Sequence, residues 1–261
     1  MARTKEGAAL TDLHRRQQLA LRAAVVRDVM KLWPMWAPKD PGSYLAFEAA
    51  MVLLVQSRSA LSATIAARYY QSFSALEAPG VELVGDLGQI ALAARPTSAQ
   101  IRASISATSR AGVFRALGAG QSYEQAIANG LVEVSGAASR LAMNAGRDTI
   151  LGAVSADPVC VGWARHGGGK PCGFCSMLIS RGPVYKSAQS AVAGQRFSDR
   201  VMDFRAHDHC SCSAEPVYRE GEWPEQNREM QALWKQTGSL NAFRQALNKK
   251  PAAAAMAVAN I

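Results

Sequence analysis

The sequence predicts a mainly α-helical fold, in which long N-terminal helices and a helical hairpin precede a small α+β module rich in cysteine and histidine. Apolar residues recur at helical spacing through the first 156 positions, and four of the five cysteines lie together after residue 170. Val159, Val161 and Trp163 alternate with other residues, as in a strand, where the helical pattern stops. We therefore expect a helical region at 1–156, a Cys/His module at 157–222, and C-terminal helices with a mobile tail at 223–261.

Two long helices are predicted first. The first is expected from Leu10 to Trp33, and Pro34 ends it. Ser43 is the expected N-cap of the second, which carries an apolar stripe from Tyr44 to Phe73. The segment from residue 79 to 88, with Pro79 and three glycines, is expected to be a loop.

Two capping boxes predict the next pair of helices. Thr97 with Gln100 opens a helix that we expect to run to residue 117, and Ser122 with Gln125 opens another. The Gly-Ala-Gly segment at 118–120 separates them, so an antiparallel pair is expected.

Short elements are expected after the change of pattern. They are a strand at 159–163, short helices at 176–181 and 187–192, a strand at 214–218, and helices at 225–236 and 239–247. The Ala-rich tail beyond Pro251 is expected to be mobile.

Composition narrows the classes of partner. The formal net charge of +9 favours an acidic partner, and the dispersed Lys and Arg residues suggest non-specific proximity to DNA. The longest apolar run, 49–55, is too short to span a bilayer, and no apolar signal segment follows Met1, so we expect no membrane association.

Thiols and imidazoles form two groups that suit a metal ion. Their members are Cys172 and Cys175, then His207, His209, Cys210 and Cys212. Soft donors from two distant stretches can complete a tetrahedron, so we predict a structural zinc ion, Zn2+, that staples the module. The alternatives are a redox pair, which would need a βαβ context, or two disulfides, which would need an oxidising compartment. Cys160, between two valines, is expected to be a small buried hydrophobic residue.

Spacing alone leaves the ligand set open. Cys172 and Cys175 are the firmest choices. His207 with Cys210 would repeat their three-residue spacing, whereas Cys210 with Cys212 would leave both histidines outside the ligand set. Six donors would also suffice for a larger cluster.

Enzyme motifs are incomplete, so no catalytic residue is predicted. Asp208 and His209 could serve a His-Asn-His nuclease, but no histidine follows them. Glu220 and Glu222 form the Glu-x-Glu of an ADP-ribosyltransferase, without a convincing Ser-Thr-Ser strand upstream. The chain also lacks the HExxH of zinc proteases.

The segments 172–178, 181–185, 207–212 and 214–218 together resemble the C-terminal signature of the phage Mu F-like minor capsid, or head morphogenesis, proteins of tailed bacteriophages, particularly those of actinobacteriophages. The family pattern ends in a histidine, two residues and Cys-x-Cys. It implies His207, Cys210 and Cys212 as ligands beside Cys172 and Cys175, with His209 as an alternative.

The resemblance implies a non-enzymatic structural protein of the virion. Such a protein would lie in few copies inside the capsid near the portal vertex, after recruitment from the host cytoplasm during procapsid assembly. Its helical region would contact the portal protein, with the major capsid protein, scaffold and packaged DNA as further candidate contacts and DNA packaging or ejection as candidate roles.

Overall fold

A computed structural model describes residues 2–80, 85–167, 171–187, 196–197, 204, 206–219, 221 and 223–249. It confirms the predicted class, since long helices precede a small sheet with short helices. Three predicted features lie outside the described residues: most of the helix expected at 187–192, the carboxylates of Glu220 and Glu222, and the tail beyond residue 250. The division into three parts stays a prediction.

The first two helices form as expected, with one wrong cap. Helix α1 spans Lys5–Leu32 and α2 spans Pro41–Glu77, joined by a 3-10 turn at Trp33–Met35. Asp40, not Ser43, is the N-cap of α2, because its carboxylate accepts the N–H of Gly42. The Ser43 hydroxyl instead donates to backbone carbonyls just before the helix.

The segment expected to be a loop contains a short helix, α3 at Leu87–Ala93. Asp86 caps it by accepting the N–H groups of Gly88 and Gln89. The glycine-rich composition hid this helix, because glycine is a poor helix former in most settings.

Both capping boxes are confirmed, but the first predicted helix is divided in two. The helices are α4 at Ser98–Thr108, α5 at Arg110–Gly118 and α6 at Tyr123–Ala156. The break falls at Ser109, whose hydroxyl donates to the carbonyl of Ile105 at 2.6 Å and whose backbone leaves helical geometry. Helices α4 and α5 both pack on α6.

Helices α1, α2 and α6 form the centre of a bundle around one apolar core. Within it, Trp33, Trp36, Tyr44 and Phe47 form a set of mostly edge-on ring contacts. By length and composition α2 could cross a membrane, since its most apolar 18 residues have a mean hydropathy of 1.3. Of that window 39% is buried inside the protein, and one helix of this kind is weak evidence for a membrane span.

After α6, the described part of the chain contains a four-stranded sheet and three helices. The module holds β1 at Gly162–His166, α7 at Gly173–Ile179, β2 at Val184–Tyr185, β3 at Arg196–Phe197 and β4 at Ser213–Val217, and the C-terminal helices are α8 at Glu225–Thr237 and α9 at Leu240–Lys249. The strand order is β3-β2-β1-β4, with β1 antiparallel to both neighbours and β2 parallel to β3. The first predicted strand was placed three residues early, and β2 and β3 were not predicted.

The sheet packs against the helical bundle. Side chains of α2 and α6 share one apolar cluster with residues of β1, β2 and β4. At the junction, the buried carboxylate of Asp157 accepts the hydroxyls of Tyr70 and Tyr218 at 2.9 and 3.1 Å, and the N–H groups of Val159 and Cys160. One carboxylate thus joins α2, the end of α6 and the segment after β4.

Candidate metal centre

The first half of the centre is the N-terminus of α7. Cys172 is the N-cap residue, and its Sγ accepts the N–H of Cys175 at 3.4 Å. Because this cap turns the chain into the helix within three residues, both sulfurs lie on the same side of the turn. Cys172 is exposed and Cys175 is buried, so one cysteine of the pair lies at the surface and the other in the interior.

The second half is a tight turn that leads into β4. The N–H of Cys210 donates to the carbonyl of His207 at 3.1 Å, which closes the turn. His209 takes the left-handed conformation within it, at φ 61°, which few residues other than glycine and asparagine adopt. Cys210 and Cys212 follow, both buried.

The fold brings five of the six predicted donors together. His207 Nε2 lies 3.1 Å from Cys172 Sγ and 3.4 Å from Cys175 Sγ, and Cys175 Sγ lies 3.6 Å from Cys210 Sγ. Two triads result, Cys172–Cys175–His207 and Cys175–Cys210–Cys212, each with its donor atoms within 4.8 Å of one another. Because Cys175 belongs to both triads, the donors form one continuous cluster that could hold a metal ion.

The imidazole of His207 is oriented for ligation. Its Nδ1 lies 2.5 Å from the carbonyl of Asp208, so this nitrogen is the donor and carries the proton. Nε2 then has a free lone pair, and it faces the sulfurs of Cys172 and Cys175. A hydrogen bond from the second ring nitrogen to a carbonyl is the usual way a protein fixes a metal-binding histidine.

The sulfurs are close enough to shift one another's pKa values in opposite directions. Hydrogen bonding to Cys210 and Cys212, together with burial, raises the pKa of Cys175. The same hydrogen bond from Cys175 lowers the pKa of Cys210. A divalent cation would stabilise several thiolates at once.

The remaining predicted residues lie beside the cluster. His209 is in neither triad, and its Nε2 packs against α6 next to Gly136. Asp208 accepts Arg140 Nε at 2.7 Å. Cys160 is fully buried, as expected, and its thiol donates to the carbonyls of Gly162 and Val217.

Sequence reasoning missed three arginines that support the second half. Arg22 of α1 and Arg140 and Arg147 of α6 all donate to the turn or to the residues just after it. Nothing in the local sequence marks them, because at least 63 positions separate each arginine from the residue of the turn that it contacts.

Fold and site together define a helical protein with a Cys/His module able to hold a metal. The model of the VG15 protein family matches residues 5–237, so the chain belongs to the VG15 protein family. The chain is also 35% identical over 112 residues to the "Gene 15 protein" of Mycobacterium phage D29. That match spans 34% of the chain and 41% of the relative's length. No solved structure matches the chain.

These comparisons confirm the coarser part of the sequence interpretation, a relationship to bacteriophage proteins. Neither comparison names the Mu F-like family or a place in the virion.

Proposed function

We propose that this protein is a minor capsid protein that acts in head morphogenesis of a tailed phage, at the portal vertex. The observation that carries the proposal is the Cys/His cluster, whose donors come from the segments that resemble the Mu F-like sequence signature, in a VG15-family chain similar to a phage gene product. The protein would join the procapsid from the host cytoplasm and remain inside the head.

Zinc is the metal that fits the donor set best. Three or four thiolates with at most one imidazole are typical ligands of a structural zinc ion, and carboxylate-preferring cations such as Mg2+ are disfavoured. Four of the five clustered donors would be enough to fill all four ligand positions of such a site. The zinc would therefore have a structural role, and the ion would hold α7 and the turn before β4 together.

The helical bundle offers a surface for contact with other virion proteins. Leu45 and Leu53 on α2 are 71% and 68% exposed and lie about two turns apart on this helix. Apolar side chains in such positions favour burial against a partner. The portal protein is the proposed partner, with the major capsid protein, scaffold and DNA as further contacts.

The nuclease alternative receives less support from the geometry. A nuclease would need Asp208 and His209 directed at substrate, whereas Asp208 is paired with Arg140 and His209 packs on α6. We therefore propose a non-catalytic protein.

Quantitative mass spectrometry of purified phage particles, with deletion of the gene, tests this function. We expect a few copies of the protein per particle, and defective heads after the deletion. Absence from particles, or hundreds of copies, would overturn the placement at the portal vertex. Rescue by the wild-type gene but not by an Asp208→Ala, His209→Ala variant that retains zinc would favour an enzyme instead.

A further inference from the structure

The turn that carries the second half of the donor set is held by arginines of the helical bundle. Arg22 Nη1 donates to the carbonyl of His209 at 2.6 Å, and Arg140 Nε donates to Asp208 Oδ1 at 2.7 Å. Arg147 donates from Nε to the carbonyl of Cys212 and from Nη2 to that of Cys210, both at 2.9 Å. Residues 208–212 are therefore positioned by α1 and α6.

Arg147 is the arginine whose contacts are the most constrained. The residue is only 5% exposed, and its guanidinium lies 5.3 Å from the ring centre of Phe204. Its third nitrogen donates to Asn144 Oδ1 at 2.8 Å, so the geometry of the fork is fixed. A buried guanidinium is costly unless negative charge compensates it, and this one donates to the backbone carbonyls of Cys210 and Cys212, whose thiols are candidate metal ligands.

The expected charge of the metal centre explains why a positively charged side chain lies beside it. Three thiolates and one neutral imidazole around a divalent cation carry a net charge of −1, and four thiolates carry −2. Such a centre, partly buried, is stabilised by a fixed positive charge nearby. Arg147 supplies that charge and also fixes the two carbonyls that flank the ligand positions.

We infer that the arginines of the helical bundle, and Arg147 above all, set the metal affinity of the centre. This inference rests on the metal site of the proposed function. It adds that the helical bundle controls the metal affinity of that site. Coupling is reciprocal, so metal binding must also tighten the contact between α6 and the turn. The centre then joins two regions of the protein instead of stapling the module alone.

Zinc affinity, measured by competition with a chromophoric chelator, tests the inference on the full chain. Arg147→Met should weaken zinc binding by about 10- to 100-fold, the range found for residues that orient metal ligands. Arg147→Lys should lose less, because lysine keeps the charge but cannot bond both carbonyls. Arg58→Met is the matched control, since Arg58 pairs with Asp28 inside the bundle, and it should retain wild-type affinity.

The outcomes separate the two proposals. Wild-type protein that binds no zinc overturns the metal site and this inference together. Wild-type protein that binds zinc, with equal affinity in Arg147→Met, overturns the inference alone. Should Arg147→Met fail to fold, Arg147→Lys and Arg22→Gln carry the test: we expect a few-fold weaker zinc binding in both, and wild-type affinity in both contradicts the inference.

Discussion

The helical bundle and the Cys/His module are stabilised by different means. The bundle buries a continuous set of large apolar side chains between α1, α2 and α6. Beyond α6 the apolar clusters are smaller, such as Ile179, Met230 and Phe243, and the buried thiols lie in a cluster that is shared with α2 and α6. The comparison teaches that one chain can rely on burial where helices are long and on ligand chemistry where elements are short.

The two regions are nevertheless connected. Asp157 bonds side chains of both, and the arginines of α1 and α6 hold the turn of the module. A change in one region can therefore reach the other through these polar contacts and through the shared apolar cluster, and each prediction below tests one side of the comparison.

Removal of the metal should have the largest effect, and it should be strongest in the module and weaker in the part of α6 that contacts the turn. Cys175→Ser removes the sulfur that both triads share, and structural zinc contributes on the order of 10 kcal/mol to small zinc modules. Hydrogen exchange should show faster exchange in α7 and β4 and little change in α2. The control Cys160→Ser keeps the cluster intact. Equal exchange rates in wild type and Cys175→Ser would contradict a structural role for the metal.

Phe47→Ala tests how much the apolar core of the helical bundle contributes to stability. Phe47 is fully buried among aromatic rings, so truncation should lower the free energy of unfolding by about 3–5 kcal/mol in a denaturant titration. Zinc affinity of the folded variant should stay unchanged, because none of the contacts of Phe47 reaches the module. A loss of zinc affinity as large as that of Arg147→Met would show that the two regions are not separable.

Asp157→Ala tests the junction. The substitution leaves the hydroxyls of buried Tyr70 and half-buried Tyr218 and two backbone N–H groups without this acceptor, so we expect a loss of about 3 kcal/mol in unfolding free energy. Because the contact joins both regions, bundle and module should be destabilised in the same transition. The exposed Asp12→Asn should change stability by less than about 0.5 kcal/mol. Two separate transitions, with only one of them shifted, would contradict a joining role.

One pH dependence of stability should arise from Asp148 in the bundle. Burial raises the pKa of Asp148 on α6 to about 6, although Arg147 opposes the shift. An acid whose pKa is raised by folding loses stability as pH rises from its unfolded value through pH 6. Asp148→Asn should therefore be more stable than wild type by about 1–2 kcal/mol at pH 8 and equal to it near pH 4. A difference that is constant from pH 4 to pH 8 would contradict burial of the ionised carboxylate.

Sequence reasoning predicted the bundle better than the module. Apolar spacing and capping residues such as Thr97 and Ser122 act locally, so α1, α4 and α6 could be located from nearby residues. The break at Ser109 and the short α3 depend on single hydrogen bonds that periodicity does not reveal. Strands β2 and β3 have two residues each, which is too short for an alternating pattern.

In the candidate site too, the features that depend on local sequence were predicted and those that depend on distant contacts were not. Cysteine and histidine spacing identified the donors, because few other roles gather these residue types. The roles of Arg22, Arg140 and Arg147 could not be predicted, since long-range contacts from dispersed arginines leave no local pattern. The direction of the His209 side chain, toward α6 and away from the triads, also depends on its left-handed backbone, which the sequence does not reveal.

X-ray absorption at the zinc edge, on protein purified anaerobically with its metal content measured, tests the central claim most directly. We expect one zinc ion per chain with four ligands, mostly sulfur at about 2.3 Å with at most one nitrogen at about 2.0 Å. Protein that contains no zinc and has all five thiols free, or zinc surrounded mainly by oxygen, would contradict it.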